Sequence, residues 1–209
     1  VTTSAFAELR NDGIHRPFRP REQMLRQGDD GTHVLLLTSG VARVVLGRAD
    51  GTELWLAHRG PGSLLGDMAV VHGALRNAHV FAVGPCTTVL VRSDAFLRRI
   101  ERRELACALY RHTLARQHEQ DVAHSEQWSL PVKTRLARFL LRLVDFSTPS
   151  GEITGWTHEE LAKAIGASHI AVKSALKAWK ASGTVEVRRR VISVNDLRAL
   201  RILAGAPIA

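Results

Sequence analysis

Three lysines recur at helical spacing, Lys173, Lys177 and Lys180, and shortly after them three arginines stand in a row, Arg188, Arg189 and Arg190. Cations grouped this way neutralise phosphates and release the counterions condensed on them, which is the chemistry of polyanion binding. The flanking residues say how they are held. Thr157-His158-Glu159-Glu160 is a capping box, in which the Thr157 hydroxyl takes an unpaired backbone N–H and Glu160 reaches back to the cap. Leu161, Ala162 and Ile165 then make the apolar face of a two-turn helix. Gly166 ends it, because glycine adopts the left-handed turn without a Cβ clash. Ser168 caps a second helix running from about His169 to Ser182. The inner face of this helix is Ile170 or Val172, with Leu176 and Trp179, and the lysines lie on its outer face. Gly183 stops it, and Thr184–Val187 and Val191–Val194 read as a hairpin with the three arginines at its tip.

Helix, glycine turn, helix and basic hairpin is the layout of a winged helix-turn-helix. In that layout the second helix enters the DNA major groove while the first crosses the backbone. The charge agrees. The whole chain carries +9, but Ser129–Ala209 holds 13 Lys+Arg against 6 Asp+Glu, whereas Val1–Trp128 holds 16 against 14. A basic half joined to a near-neutral half is expected of a polyanion-binding module attached to something else.

The other elements must position this module. From His33 to Arg92 short apolar runs alternate with turn residues: His33–Leu37, Val41–Leu46, Thr52–Ala57, His79–Val83 and Thr87–Val91. Asp50-Gly51 between two of them is a hairpin signal. Such spacing predicts an antiparallel barrel or jelly roll. Before it, residues 1–30 show no regular period, and Pro17 and Pro20 exclude a long helix. Ser93 or Asp94 caps a short helix to about Arg102. Glu104–Gln127 lacks Gly and Pro and predicts a helix of about 36 Å. Its apolar stripe is Leu105, Ala108, Leu109, His112, Ala115 and Val122, a seam for pairing with a second copy. After Pro131, Val132–Phe146 is an amphipathic helix, and Ser147–Gly155 is read as a loop.

Cys86 and Cys107 lack the spacing of a disulfide framework or a cysteine-ligated cluster. His112, His118 and His124 fall on different helix faces, so no metal site is expected. No G-x-S-x-G elbow or other catalytic constellation appears, so the chain is not expected to be an enzyme. Without a membrane-length apolar run or a leader pattern, a cytoplasmic protein is expected.

With both halves read, the chain resembles the CRP/FNR family of transcriptional regulators. The resemblance rests on Leu65-Gly66-Asp67-Met68 followed by Arg76-Asn77-Ala78, which is similar to the family's phosphate-binding cassette, and on Thr157–Ala175, which is similar to its helix-turn-helix. It implies an α+β fold: an N-terminal β-roll of the cyclic-nucleotide-binding type over residues 1–103, a long dimerisation helix over 104–128, and a C-terminal winged helix-turn-helix over 129–209. It implies a homodimer on double-stranded DNA, a small-molecule effector of the cAMP or cGMP class, and RNA polymerase as a further partner. The implied ligand residues are Gly66, Asp67, Arg76, Asn77, Gln120 and Asp121. The implied DNA contacts are Thr157, Ser168, His169, Lys173, Ser174, Lys177 and Arg188, Arg189 and Arg190.

This sequence departs from the family at several of those positions. Asp67 stands where nucleotide binders have a Glu that accepts the ribose 2′-hydroxyl, and Asn77 stands where they have Ser or Thr. Arg76, which would pair with the cyclic phosphate, is retained after a loop one residue shorter. Gln120 and Asp121 fall where cAMP-responsive members carry an adenine-reading hydroxyl pair. On the recognition helix, Ile170 and Ser174 occupy slots that hold Glu and Arg in many members, and His169 fills another Arg slot. Two other readings stay open. Asp67 and Arg76 form a salt bridge in a ligand-independent roll that serves as scaffold or as a docking surface for RNA polymerase or another protein. Alternatively, the chain is a cyclic-nucleotide-binding signalling module with no DNA role.

Overall fold

In the computed structural model, which describes residues 6–10, 13–146 and 152–205, the first half of the chain forms eight strands: β1 (Ile14–Phe18), β2 (Gln23–Leu25), β3 (His33–Ser39), β4 (Ala42–Gly47), β5 (Glu53–Arg59), β6 (Leu64–Leu65), β7 (His79–Ala82) and β8 (Cys86–Arg92). They make two antiparallel four-stranded sheets, in the orders β1-β8-β3-β6 and β2-β7-β4-β5. This is the jelly roll expected from the strand spacing. The five strands read from sequence are all present. β1, β2 and the short β6 were not legible, and Pro17 is the reason for the first. It sits in β1 at the edge of its sheet, where a missing N–H costs no ladder bond on the outer side.

The central strand β3 is buried on both faces, which explains its unbroken Val34-Leu35-Leu36-Leu37 run. Leu35 and Leu37 join Phe18, Leu25, Ala42 and Val80 between the sheets. Val34 and Leu36 point the other way, toward Phe6, Leu9, Val89, Phe96 and Leu105. Each such leucine contributes about 2 kcal/mol by leaving water. At the β4–β5 hairpin the Asp50 carboxylate accepts from the Thr52 backbone N–H at 2.9 Å, and Gly51 takes φ +80°. The hairpin forms where Asp50-Gly51 predicts it.

Three helices accompany the roll: α1 (Asp67–His72), α2 (Ser93–Ile100) and α3 (Arg103–Ser129). The cap of α2 differs from expectation. Arg92 is the N-cap, and Ser93 and Asp94 lie in the first turn, where the Asp94 carboxylate suits the positive end of the helix. Helix α3 is longer than the predicted span. The chain divides into two compact units, Val1–Gln120 and Asp121–Ala209, and the division falls inside α3.

Burial divides the expected seam of α3: Ala115 and Val122 are exposed and Leu109 is half-buried, but the other three are taken up by the roll. Leu105, Ala108 and His112 are buried in the first unit, with Leu105 and Ala108 in the core cluster of the roll. Cys107, Tyr110 and Leu114 are among the exposed side chains on that part of the helix.

The second unit holds the end of α3, then α4 (Val132–Phe146), β9 (Glu152–Thr154), α5 (His158–Ile165), α6 (His169–Ala181), β10 (Val185–Arg188), β11 (Val191–Val194) and α7 (Leu197–Leu203). Helix α4 packs on α5, α6 and α7, burying Leu136, Phe139, Leu140 and Leu143. Phe139 meets Trp156 edge to face at 5.2 Å. The expected loop Ser147–Gly155 lies outside the described residues over 147–151. Its later part is a strand, because Ile153 pairs with Ile192 in the three-stranded sheet β10-β11-β9. Helix α7, unread in the sequence, is capped by Asp196, which accepts from the Ala199 N–H at 2.8 Å. Glu126, nearly buried, is neutralised by Arg138 at 3.0 Å and Arg142 at 3.4 Å.

Candidate nucleic-acid interface and effector pocket

The helix pair α5–α6 is built by local chemistry. The Thr157 hydroxyl accepts from the Glu160 N–H at 3.1 Å, and the Glu160 carboxylate accepts from the Thr157 N–H at 2.8 Å. Gly166 closes α5 at φ +61°. A Cβ there would meet the Gln127 side chain, and Arg135 donates to the adjoining Ile165 carbonyl at 2.9 Å. The Ser168 hydroxyl accepts from the Ala171 N–H at 3.2 Å and starts α6.

The register of α6 follows from what it buries: Val172, Ala175, Leu176 and Trp179. That choice settles the open inner face in favour of Val172. Ile170 is 78% exposed. The exposed stripe is therefore His169, Ile170, Lys173, Ser174 and Lys177, with Ser168 exposed at its head. His158, at the start of α5, joins this end of the stripe, its ring 6.0 Å from that of His169. Burial first, then the charges of His169 and Lys173, push its pKa below the ordinary imidazole value. The sequence reading missed His158, whose only signal was its place in the capping box. In the wing, Arg188 pairs with Glu186 at 3.0 Å, while Arg189 and Arg190 are exposed at the turn. Arg190 takes φ +59° there.

The cassette residues divide between two sets of partners. The Asp67 carboxylate, almost fully buried, accepts both guanidinium arms of Arg116, at 3.0 and 2.6 Å. Arg76 donates instead to the carbonyls of Gly66 at 2.7 Å and His33 at 2.5 Å. The expected Asp67–Arg76 salt bridge is thus replaced: each residue is satisfied by another group. Gly66 takes φ +79°, and a Cβ on it would strike the Arg76 guanidinium. Asn77 is exposed. Beside Arg76 opens a cleft of about 640 Å³, lined also by Gln23, Arg26, Asp29 and Asp30.

On α3, the residues that meet the roll's polar groups are Arg116 and Glu119. Gln120 and Asp121 are exposed. Glu119 accepts from Arg59 at 3.0 Å, so two guanidiniums and two carboxylates balance one another. Burial lowers the pKa of Arg59 from its ordinary value, and Glu119 opposes that. His112 lies among them. Its Nε2 is buried without a hydrogen-bond partner, and its ring packs edge-on to Phe6 at 5.5 Å. Burial, then Arg116, lowers its pKa to about 4, so it is neutral at physiological pH.

A jelly roll carrying this cassette and a winged helix-turn-helix with an exposed basic recognition stripe define a DNA-binding transcription regulator with a cyclic-nucleotide-type domain. The comparisons agree on both halves. The cyclic nucleotide-binding domain family matches residues 15–103, and the Crp-like helix-turn-helix domain family matches residues 134–203. The chain is 28% identical over 183 residues to the cyclic AMP receptor protein of Thermus thermophilus, covering 85% of this chain and 82% of that one. It is 24% identical over 206 residues to the CRP-like cAMP-activated global transcriptional regulator of Mycobacterium tuberculosis, covering 96% and 92%. The solved structure of FixK2 from Bradyrhizobium japonicum shares the fold, with a TM-score of 0.78 at 16% identity, over 94% of this chain and 98% of that one. The chain belongs to the CRP/FNR family of transcriptional regulators, a family of regulators rather than enzymes. Among the described residues no helix is long and apolar enough to cross a membrane.

Proposed function

We propose that the chain acts as a cytoplasmic homodimer on paired DNA half-sites. In this reading residues 129–209 bind the duplex, 104–128 pair with a second copy and 1–103 sense. Ser168, His169, Lys173, Ser174 and Lys177 face the major groove, and Thr157, Arg188, Arg189 and Arg190 face the backbone. The observation that carries the reading is the capped α6 with its stripe of exposed cations. For the second copy, Cys107, Tyr110, Leu114 and Gln117 recur at alternating spacings of three and four on the exposed side of α3, as a coiled-coil seam does. Protection of two half-sites about 34–36 Å apart, with affinity falling steeply as salt rises, is the expected DNA result. Salt-independent binding, or protection of a single half-site, would count against it. Mild oxidation is expected to link two copies through Cys107, and Cys107→Ser to abolish the link.

A second reading, that the roll works without a nucleotide, is favoured by the Asp67–Arg116 pair. The carboxylate in the ribose-acceptor position already has a partner, so a nucleotide must displace Arg116 to use it. Thermal unfolding with cAMP and with cGMP separates the two. A ligand at about 100 times its Kd adds about 2.7 kcal/mol. A shift lost in Arg76→Ala supports a nucleotide sensor with an altered cassette. No shift supports the scaffold, docking RNA polymerase or another protein.

A further inference from the structure

We infer that Ile170 reads thymine, through its C5 methyl group, in each half-site of the operator. The inference rests on α6 being the recognition helix and goes beyond that reading by naming a base and the atom that is recognised. Its starting point is an oddity of burial. Val172 is fully buried, and with Leu176 and Trp179 it sets which side of α6 faces the protein. Ile170 is therefore turned outward, the one large aliphatic side chain on a stripe otherwise made of His169, Lys173, Ser174 and Lys177.

An isoleucine in that place has no polar atom with which to read a base edge. It can contribute only by removing apolar surface from water. In the major groove one base offers an apolar group, thymine with its C5 methyl; the other edges present hydrogen-bond donors and acceptors. The neighbours suit the division of labour. His169 precedes Ile170, and Lys173 and Ser174 stand one turn further on the same side. They leave hydrogen bonding and phosphate contact to the groups around Ile170. The Ser168 cap holds the first turn, so residue 170 is presented on a fixed backbone.

The test uses the full-length protein. Duplexes are selected from a random pool, and each symmetric pair of selected thymines is then replaced by deoxyuridine, which removes only the methyl. For one pair the loss is expected to be about fourfold in affinity per half-site, the worth of one buried methyl. Ile170→Ala is expected to bind thymine and uracil duplexes alike, with unchanged thermal unfolding, since the side chain is exposed. Selected sites that show no methyl dependence, or a dependence that survives in Ile170→Ala, would overturn the inference while leaving DNA binding intact. Failure to select any duplex would overturn the DNA-binding reading and this inference together.

Discussion

Arg116 holds Asp67 through both carboxylate oxygens, across 49 residues of sequence, with the side chains only 15% and 4% exposed. A buried pair of this kind is costly to break from one side, because the remaining charge loses its partner and has no water to replace it. Arg116→Ala is expected to lower unfolding stability by about 3 kcal/mol. Asp67→Ala combined with Arg116→Ala is expected to lower it by less than the sum of the two single changes. Urea denaturation of the four proteins measures the coupling, and additive losses would mean the pair contributes nothing beyond its separate residues.

His112 makes the roll sensitive to acid. Its pKa in the fold is about 4, while an unfolded chain titrates near the ordinary 6.5. Between those values the unfolded chain binds a proton that the folded chain refuses, so the stability associated with neutral His112 is lost as pH falls from 6.5 toward 4. The expected loss is on the order of 2 kcal/mol. His112→Leu keeps the apolar contact with Phe6 and removes the titration. Melting curves at pH 7 and pH 4.5 are expected to differ less in this variant than in the parent.

Gly66 resists substitution for two independent reasons, its positive φ and the Arg76 guanidinium standing where a Cβ would go. Arg76 cannot retreat freely, since it donates to two carbonyls. Gly66→Ala is expected to destabilise the roll by more than the roughly 1 kcal/mol of an ordinary left-handed position. Arg76→Ala in the same background is expected to recover part of that loss, as read by calorimetry.

Lys173 and Lys177 are exposed on the recognition stripe without an ion-pair partner among the described residues. Where both meet phosphates, replacing them with alanine lowers the slope of log K against log salt by about 1.8, at about 0.9 per phosphate contact. Anisotropy titrations from 50 to 200 mM salt would show it. An unchanged slope with lowered affinity would assign the lysines to base edges instead.

What could be read from the sequence was read where the deciding interaction is local. Thr157 and Glu160, Gly166, and Ser168 with its helix each act within a turn, so residue type and spacing suffice, and the structure places all four as expected. The strands His33–Leu37 and Thr87–Val91 were legible for a similar reason, since their apolar character reports burial whatever their partners. Pro17 hid β1, because an edge strand tolerates a residue that a central strand excludes, and only sheet order tells the two apart.

The pairing of charges was decided by the tertiary structure alone. Asp67 and Arg76 are neighbours in the motif, yet Asp67 turns to Arg116 and Arg76 to the carbonyls of Gly66 and His33, because a buried charge takes whatever partner the packed backbone brings within about 3 Å. The same holds for α3 and α6. Periodicity identified both helices, but it could not say that His112 is buried while Leu114 is exposed, or that Val172 is inside and Ile170 out. A helix of period 3.6 offers overlapping apolar arcs, and the arc that is buried is chosen by the shape of the surface it meets.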